Sequence, residues 1–199
     1  MREAATRSLD QSLVNWLEQR IIRKFLAESR LVGESLLDVP CGYGRFWGTF
    51  ADFDLRLVGI DRDPEMIQKA ACSPDRNGHS HPLCGSVFAL PFEDDSFDCV
   101  TCIRLLHLRF SDLERLSILR ELTRVSRRFV IISIYQPTPL HGLWRHFKGT
   151  PDRLRFTTSK QLSDLLLESG LELRSSRPLQ RGLHMQTFLL LTKATQAAV

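Results

Sequence analysis

Apolar residues in this chain come in short runs, set apart by longer stretches in which they recur every three or four positions. Leu36-Leu37 runs into Asp38-Val39-Pro40-Cys41-Gly42-Tyr43-Gly44-Arg45, and Leu57-Val58-Gly59-Ile60 ends at Asp61. A strand buried on both faces of a parallel sheet is written this way, as a run rather than an alternation. Strands are expected near residues 35–39, 55–61, 82–87, 97–103 and 129–134. The last is Phe129-Val130-Ile131-Ile132-Ser133-Ile134, β-branched and apolar on both faces, with Tyr135 at its tip.

The helical stretches carry their own punctuation. Leu9, Leu13, Leu17, Ile21 and Phe25 recur at helical spacing, flanked by Val14, Ile22 and Leu26, with Arg20, Arg23 and Lys24 on the other face. They predict an amphipathic helix over residues 9–28, so that residues 1–30 form a helix covering the domain built from 31–199. Packing on the domain is the reading we take. Covering a ligand site and lying on a membrane surface are the alternatives. A helix over 64–71 has Asp63 as N-cap and Pro64 as its first residue. One over 112–125 opens on the capping box Ser111 to Glu114, and another starts at Thr158, boxed by Gln161, and stops at Gly170.

Strands interleaved with helices predict an α/β fold with a doubly wound, mostly parallel sheet. Two last strands, near 171–177 and 184–192 and joined through Gly182, are linked too briefly for a crossover. They predict an antiparallel C-terminal hairpin and bring the sheet to seven strands. Ligands on such sheets bind beyond the carboxyl ends of the strands. The loops at 40–45, 61–63, 86–87 and 103–107, with Tyr135, are therefore expected to converge. There Gly42 and Gly44 can adopt angles closed to other residues, and Asp61 can accept from both hydroxyls of a ribose.

Composition narrows this little. The 199 residues suffice for one domain, and no apolar run reaches membrane-spanning length. The N-terminus is polar and leads into no signal-like segment, so a cytoplasmic location is expected. The net charge of +4 suits an anionic ligand, and without a basic stripe it does not imply nucleic acid. Five cysteines are read as reduced thiols. Cys99 and Cys102 are three apart on a strand and so face opposite ways, which argues against a metal or redox pair. His79 and His81 are read as part of a solvated loop, so no metal is expected.

Residues 36–193 resemble class I S-adenosylmethionine-dependent methyltransferases, especially their quinone- and small-molecule-methylating branch. Asp38-Val39-Pro40-Cys41-Gly42-Tyr43-Gly44 is similar to that family's first motif, and Asp61 to its ribose-binding acid. Leu90-Pro91-Phe92-Glu93-Asp94-Asp95-Ser96-Phe97-Asp98 resembles the segment leading into its fourth strand. The resemblance implies S-adenosylmethionine as cofactor. Gly42, Tyr43 and Gly44 would meet its methionine part, and Asp38 would orient that loop or the amino group. Asp61 would bind the ribose, with Arg62 and Met66 near the adenine. Ser86 and the Val87 N–H would meet the adenine edge, and the Ile103 carbonyl the ammonium.

Three departures stand out: Pro40 where a glycine is common, Ser86 where an acid or amide is common, and Arg124-Val125-Ser126-Arg127-Arg128 in place of a Pro-Gly-Gly turn. Methyl transfer from a sulfonium is an in-line displacement, so alignment matters most and a base is needed only if the acceptor must lose a proton. His107 and Tyr135 are the candidate catalytic residues. Arg104, His141, Trp144 and Arg145 are candidates for holding an anionic or lipid-like acceptor. A small-molecule acceptor methylated at O, N or C is the expectation. A nicotinamide-dependent oxidoreductase and a non-catalytic protein of the same fold are the alternatives.

Overall fold

The computed structural model describes residues 2–73, 78–137, 154–180 and 185–194, with side chains of the first helix from Gln11 onward. In chain order the elements are α1 (Arg2–Glu28), β1 (Ser35–Asp38), α2 (Trp47–Ala51), β2 (Arg56–Asp61), α3 (Pro64–Ala71), β3 (Ser80–Cys84) and β4 (Phe97–Cys102). They continue with α4 (Asp112–Val125), β5 (Ser126–Tyr135), α5 (Ser159–Glu168), β6 (Leu171–Pro178) and β7 (Gln186–Lys193).

The strands form one seven-stranded sheet in the order β3-β2-β1-β4-β5-β7-β6. β1 to β5 are parallel, whereas β7 runs antiparallel to both β5 and β6. The order reverses at β1 and β4, and the loops leaving those two strands diverge to open a crevice. Gly182 lies outside the described residues.

Alternation along each strand divides the core in two. Leu37, Val100, Val130 and Ile132 pack under Leu116, Leu119, Leu162 and Leu166 of α4 and α5. Leu36, Cys99, Ile131 and Leu190 pack under Ile22, Phe25 and Leu26 of α1 and Trp47 and Phe50 of α2. Cys99 and Cys102 fall in different halves, as their spacing requires. Burial of each large aliphatic side chain contributes about 1.5–3 kcal/mol.

The caps form as their sequences predict. Asp63 accepts from the Glu65 N–H, and both capping boxes, Ser111 with Glu114 and Thr158 with Gln161, close reciprocally. Three details differ from the sequence expectation. β3 spans Ser80–Cys84, earlier than 82–87, because the chain folds back in a tight turn that bridges Ser86 to Ala89. His81 is therefore on a strand rather than in a loop. β5 begins at Ser126, whose N–H still caps α4 on Leu122, so helix passes into strand with no turn between them. On α1, Leu13 is exposed, while Glu18, one turn from Val14 and from Ile22, is fully buried. The covered stripe of α1 is carried by its C-terminal half.

Candidate active site

Asp61 ends β2 and ties three segments together. Its Oδ2 accepts from the Gly42 N–H at 2.9 Å and its Oδ1 from the Asp63 N–H at 3.0 Å. Its own carbonyl accepts from the Gly85 N–H at 2.9 Å. Gly42 reaches the carboxylate at φ +56°, a left-handed conformation in which a side chain is strained, and no atom stands within 4 Å of where its Cβ would be. The wall is open at that point. Each carboxylate oxygen keeps a further lone pair for a second donor.

Two cavities adjoin at this carboxylate, of about 480 and 450 Å³, and they share Pro40, Asp61 and Arg104. The first is walled by Gly42, Tyr43, Met66 and Ile103 from the strand ends, with Gln11 and Asn15 from α1. The second is walled by Arg62, Ser86 and Val87 and by the apolar side chains of Phe88, Leu108 and Phe110. Phe88 and Phe110 meet edge to face at 5.8 Å. The first compartment is the more open of the two and exposes the backbone of the glycine turn, whereas the second is more enclosed and rimmed by aromatic side chains.

Most of the anticipated cofactor residues line one cavity or the other. Asp38 lies underneath. It is buried, its Oδ1 accepts from Thr101 Oγ1 at 2.6 Å, and its Oδ2 has no hydrogen-bond partner. Burial pushes its carboxyl up to about 7, against the pull of Thr101 and Trp47. Gly44 lines neither cavity. It turns at φ +77°, and its missing Cβ makes room for the Trp47 ring and Ser73. Pro40 follows a cis peptide bond and lies where the two cavities meet.

On the other candidate residues the structure is more selective. His107 and Tyr135 stack with ring centroids 4.3 Å apart and planes 10° apart, and line neither of these cavities. Burial first, and then the Arg104 charge, lowers the His107 imidazole to about 4, and its Nδ1 has no hydrogen-bond partner. Burial raises the Tyr135 phenol. The segment leading to α5 crosses both residues: the Arg155 N–H donates to the His107 carbonyl and the Thr157 N–H to the Tyr135 carbonyl, each at 2.8 Å. Arg104 lines both cavities. His141, Trp144 and Arg145 lie outside the described residues.

Sequence reasoning missed Gln11, Asn15, Glu18 and Arg45. Glu18 left one trace, a carboxylate on the apolar stripe between Val14 and Ile22, where only a paired charge is stable. The others belong to patterns that normally read as solvated surface.

A family model described as a methyltransferase domain matches residues 36–128. An uncharacterized methyltransferase, YcgJ of Bacillus subtilis, is 32% identical over 107 residues, covering 51% of this chain and 41% of that protein. A tRNA U34 carboxymethyltransferase of Shewanella frigidimarina is 33% identical over 110 residues, covering 52% of this chain and 32% of that protein. The chain thus spans less than half the length of these curated relatives. Among solved structures, magnesium protoporphyrin IX methyltransferase from Synechocystis, with bound SAH, superposes with a TM-score of 0.77 at 17% identity, over 92% of this chain and 87% of that one. Residues 36–128 thus match a methyltransferase domain, and the chain as a whole shares the fold of that solved structure.

Proposed function

We propose that the chain transfers a methyl group from S-adenosylmethionine to a small-molecule acceptor. The observation that carries this reading is Asp61 at the junction of two cavities, the more open one walled by the glycine turn and α1, the more enclosed one rimmed by Phe88 and Phe110. An adenosyl amino acid has the matching division. Its base fits the compartment of Ser86, Val87 and Phe88, its ribose diol the free lone pairs of Asp61, and its amino-acid part the compartment of Gly42, Tyr43 and Ile103. Arg62 and Met66 would flank the base, and the Ile103 carbonyl would accept from the ammonium. Asp38 and Gly44 would act from behind, fixing the loop.

The bound cofactor supplies a methyl group already activated on a sulfonium. The chain's part is alignment and exclusion of water, which can lower such a barrier by about 7–11 kcal/mol. Tyr135 ends β5 and His107 follows β4 by about five residues, and we place the acceptor beside them. An imidazole with a pKa of about 4 is neutral at pH 7. It holds a proton too poorly to be a strong base, so we assign it to positioning the acceptor through its unpartnered Nδ1. His141, Trp144 and Arg145, which lie outside the described residues, are further candidates for holding the acceptor. The five unbridged cysteines fit work in the reducing cytoplasm. No helix among the described residues is long and apolar enough to cross a membrane.

Calorimetry with S-adenosylmethionine, S-adenosylhomocysteine and NADH tests the proposal. Heat with the first two, and its loss in Asp61→Ala, is the expected result. No heat with either, or heat with NADH alone, overturns it. Incubating the protein with methyl-labelled cofactor and cell extract, followed by mass spectrometry, then identifies the acceptor.

A further inference from the structure

The end of the sheet away from Asp61 carries another hollow, of about 450 Å³. Arg56, His79, His81 and Arg127 line it, and none of its lining residues is acidic. Arg56 opens β2 and Asp61 ends it, so about 16 Å of strand separates the hollow from that carboxylate.

Strand register explains the gathering. Ser35 pairs with Arg56 across β1 and β2, and Val58 pairs with Leu37 on one side and His81 on the other. Side chains two apart share a face, so Arg56, Val58, His79 and His81 rise on the same side of the sheet as Leu37. Over β4 and β5 that side is covered by α4 and α5. Residues 85–96, between β3 and β4, form no helix, and the corner over β2 and β3 stays open. His79 and His81 are exposed and Val58 is half-buried.

The positive charge is not balanced locally. Asp98 is buried, its Oδ2 accepting from the Ser35 N–H at 3.1 Å and hydroxyl at 2.7 Å, its Oδ1 from Arg127 Nη1 at 2.8 Å. Glu34 pairs with Arg128 at 3.5 Å. The Arg56 guanidinium makes no ion pair or hydrogen bond to described residues, and Arg127 uses only Nη1. Asp98 is thus one carboxylate beside two guanidiniums and two imidazoles. A carboxylate ligand would offer two oxygens in one plane. Donors that approach from β2, β3 and β5 suit the tetrahedral oxygens of phosphate, which guanidinium forks match bidentately. Each imidazole has at least one N–H to give. Arg56 and Arg127 start three strand spacings apart, about 14 Å, so a cation stands at either end of the hollow. Val58 and Phe97 add apolar wall.

We propose that this hollow binds a small ligand carrying a diphosphate, with Arg56, His79 and His81 at one end and Arg127 at the other. The site is separate from the cavities at Asp61 and stands whether or not they hold a methyl donor.

Calorimetry of the full chain with inorganic pyrophosphate and with orthophosphate, at one fixed ionic strength, tests this. Wild type is expected to bind pyrophosphate about tenfold more tightly, since it alone reaches both ends. Arg56→Gln, Arg127→Gln and the double variant His79→Ala/His81→Ala should each weaken pyrophosphate about tenfold, the loss expected for a charge-assisted hydrogen bond. Lys24→Gln, on the exposed side of α1, should leave its affinity unchanged. Arg56, His79 and His81 are exposed, so their variants decide the matter if Arg127→Gln, which takes a donor from Asp98, fails to fold. No heat with about 1 mM pyrophosphate overturns the proposal, and so does pyrophosphate binding no tighter than orthophosphate. A loss in Lys24→Gln equal to that in Arg56→Gln marks general attraction to a basic chain and overturns it. A loss in Arg104→Gln with none in Arg56→Gln puts the anion in the cavities at Asp61, which overturns it as well.

Discussion

The indole of Trp47 packs directly against Gly59. A Cβ on Gly59 would overlap Trp47 Cζ2 and stand 3.1 Å from Cys41 Cβ. This glycine sits two residues before Asp61, in the middle of β2, and it lets α2 close down on the sheet directly behind the glycine turn.

Gly59→Ala should therefore destabilise the protein by about 1–3 kcal/mol, the usual cost of an extra methyl in a packed core. Urea unfolding measures it. In a Trp47→Leu background the cost should shrink, so the double-variant cycle should show coupling between the two positions. Additive effects would mean that the contact does not govern the packing.

Asp61→Asn should cost both stability and ligand affinity. The carboxylate accepts from two backbone N–H groups, and an amide must turn its NH₂ toward one of them, donor against donor. A loss of about 1–3 kcal/mol in unfolding free energy is expected, together with at least a tenfold loss of affinity for S-adenosylhomocysteine. Unaltered thermal unfolding would contradict the first part, and unaltered calorimetry the second.

Asp38 gives a pH signature. Burial raises its carboxyl from 3.8 to about 7 in the folded state, so the native protein binds a proton that the unfolded chain gives up. The stability this adds is complete below the unfolded pKa and is lost as pH rises through about 7. Asp38→Asn removes the dependence. Its melting temperature relative to wild type should be higher at pH 8 than at pH 5. A constant difference across that range would show that the carboxyl titrates normally.

His107 has the opposite slope. Its folded pKa is lowered from 6.5 to about 4, so its contribution is complete above 6.5 and is lost as pH falls through about 4. His107→Phe keeps an aromatic ring against Tyr135 and should flatten that loss. The Asp38 and His107 slopes oppose each other between pH 4 and 6.5, so the wild-type curve alone hides both. Differential scanning of the two variants separates them.

Local chemistry explains how much of this was legible. Asp63, Ser111 and Thr158 sit where their side chains cap the next two or three amides, and that bond spans only neighbours in sequence. Apolar runs carry β1, β2, β4 and β5, because a strand covered on both faces has little room for polar side chains, whereas β3 lies at the sheet edge, mostly exposed, and its Ser80–Cys84 span begins before the expected run. The short link near Gly182 fixed the antiparallel hairpin in the same way. Asp61 was legible because a carboxylate at the end of an apolar run lies where the sheet meets solvent.

What only the tertiary structure decided is everything that depends on two distant segments meeting. Whether Gly44 faces a ligand or a tryptophan is set by how α2 packs, and it faces Trp47 and Ser73. Glu18 looks like one more surface acid until Arg45 and Arg104 arrive from two other strands to neutralise it. His107 and Tyr135 read as separate strand-end groups, yet β4 and β5 lie side by side and bring the two rings into a stack. The amino-acid pattern specifies which face of each element is dry. Which charges share a cavity follows from the order in which those faces assemble, and that order is a property of the whole sheet.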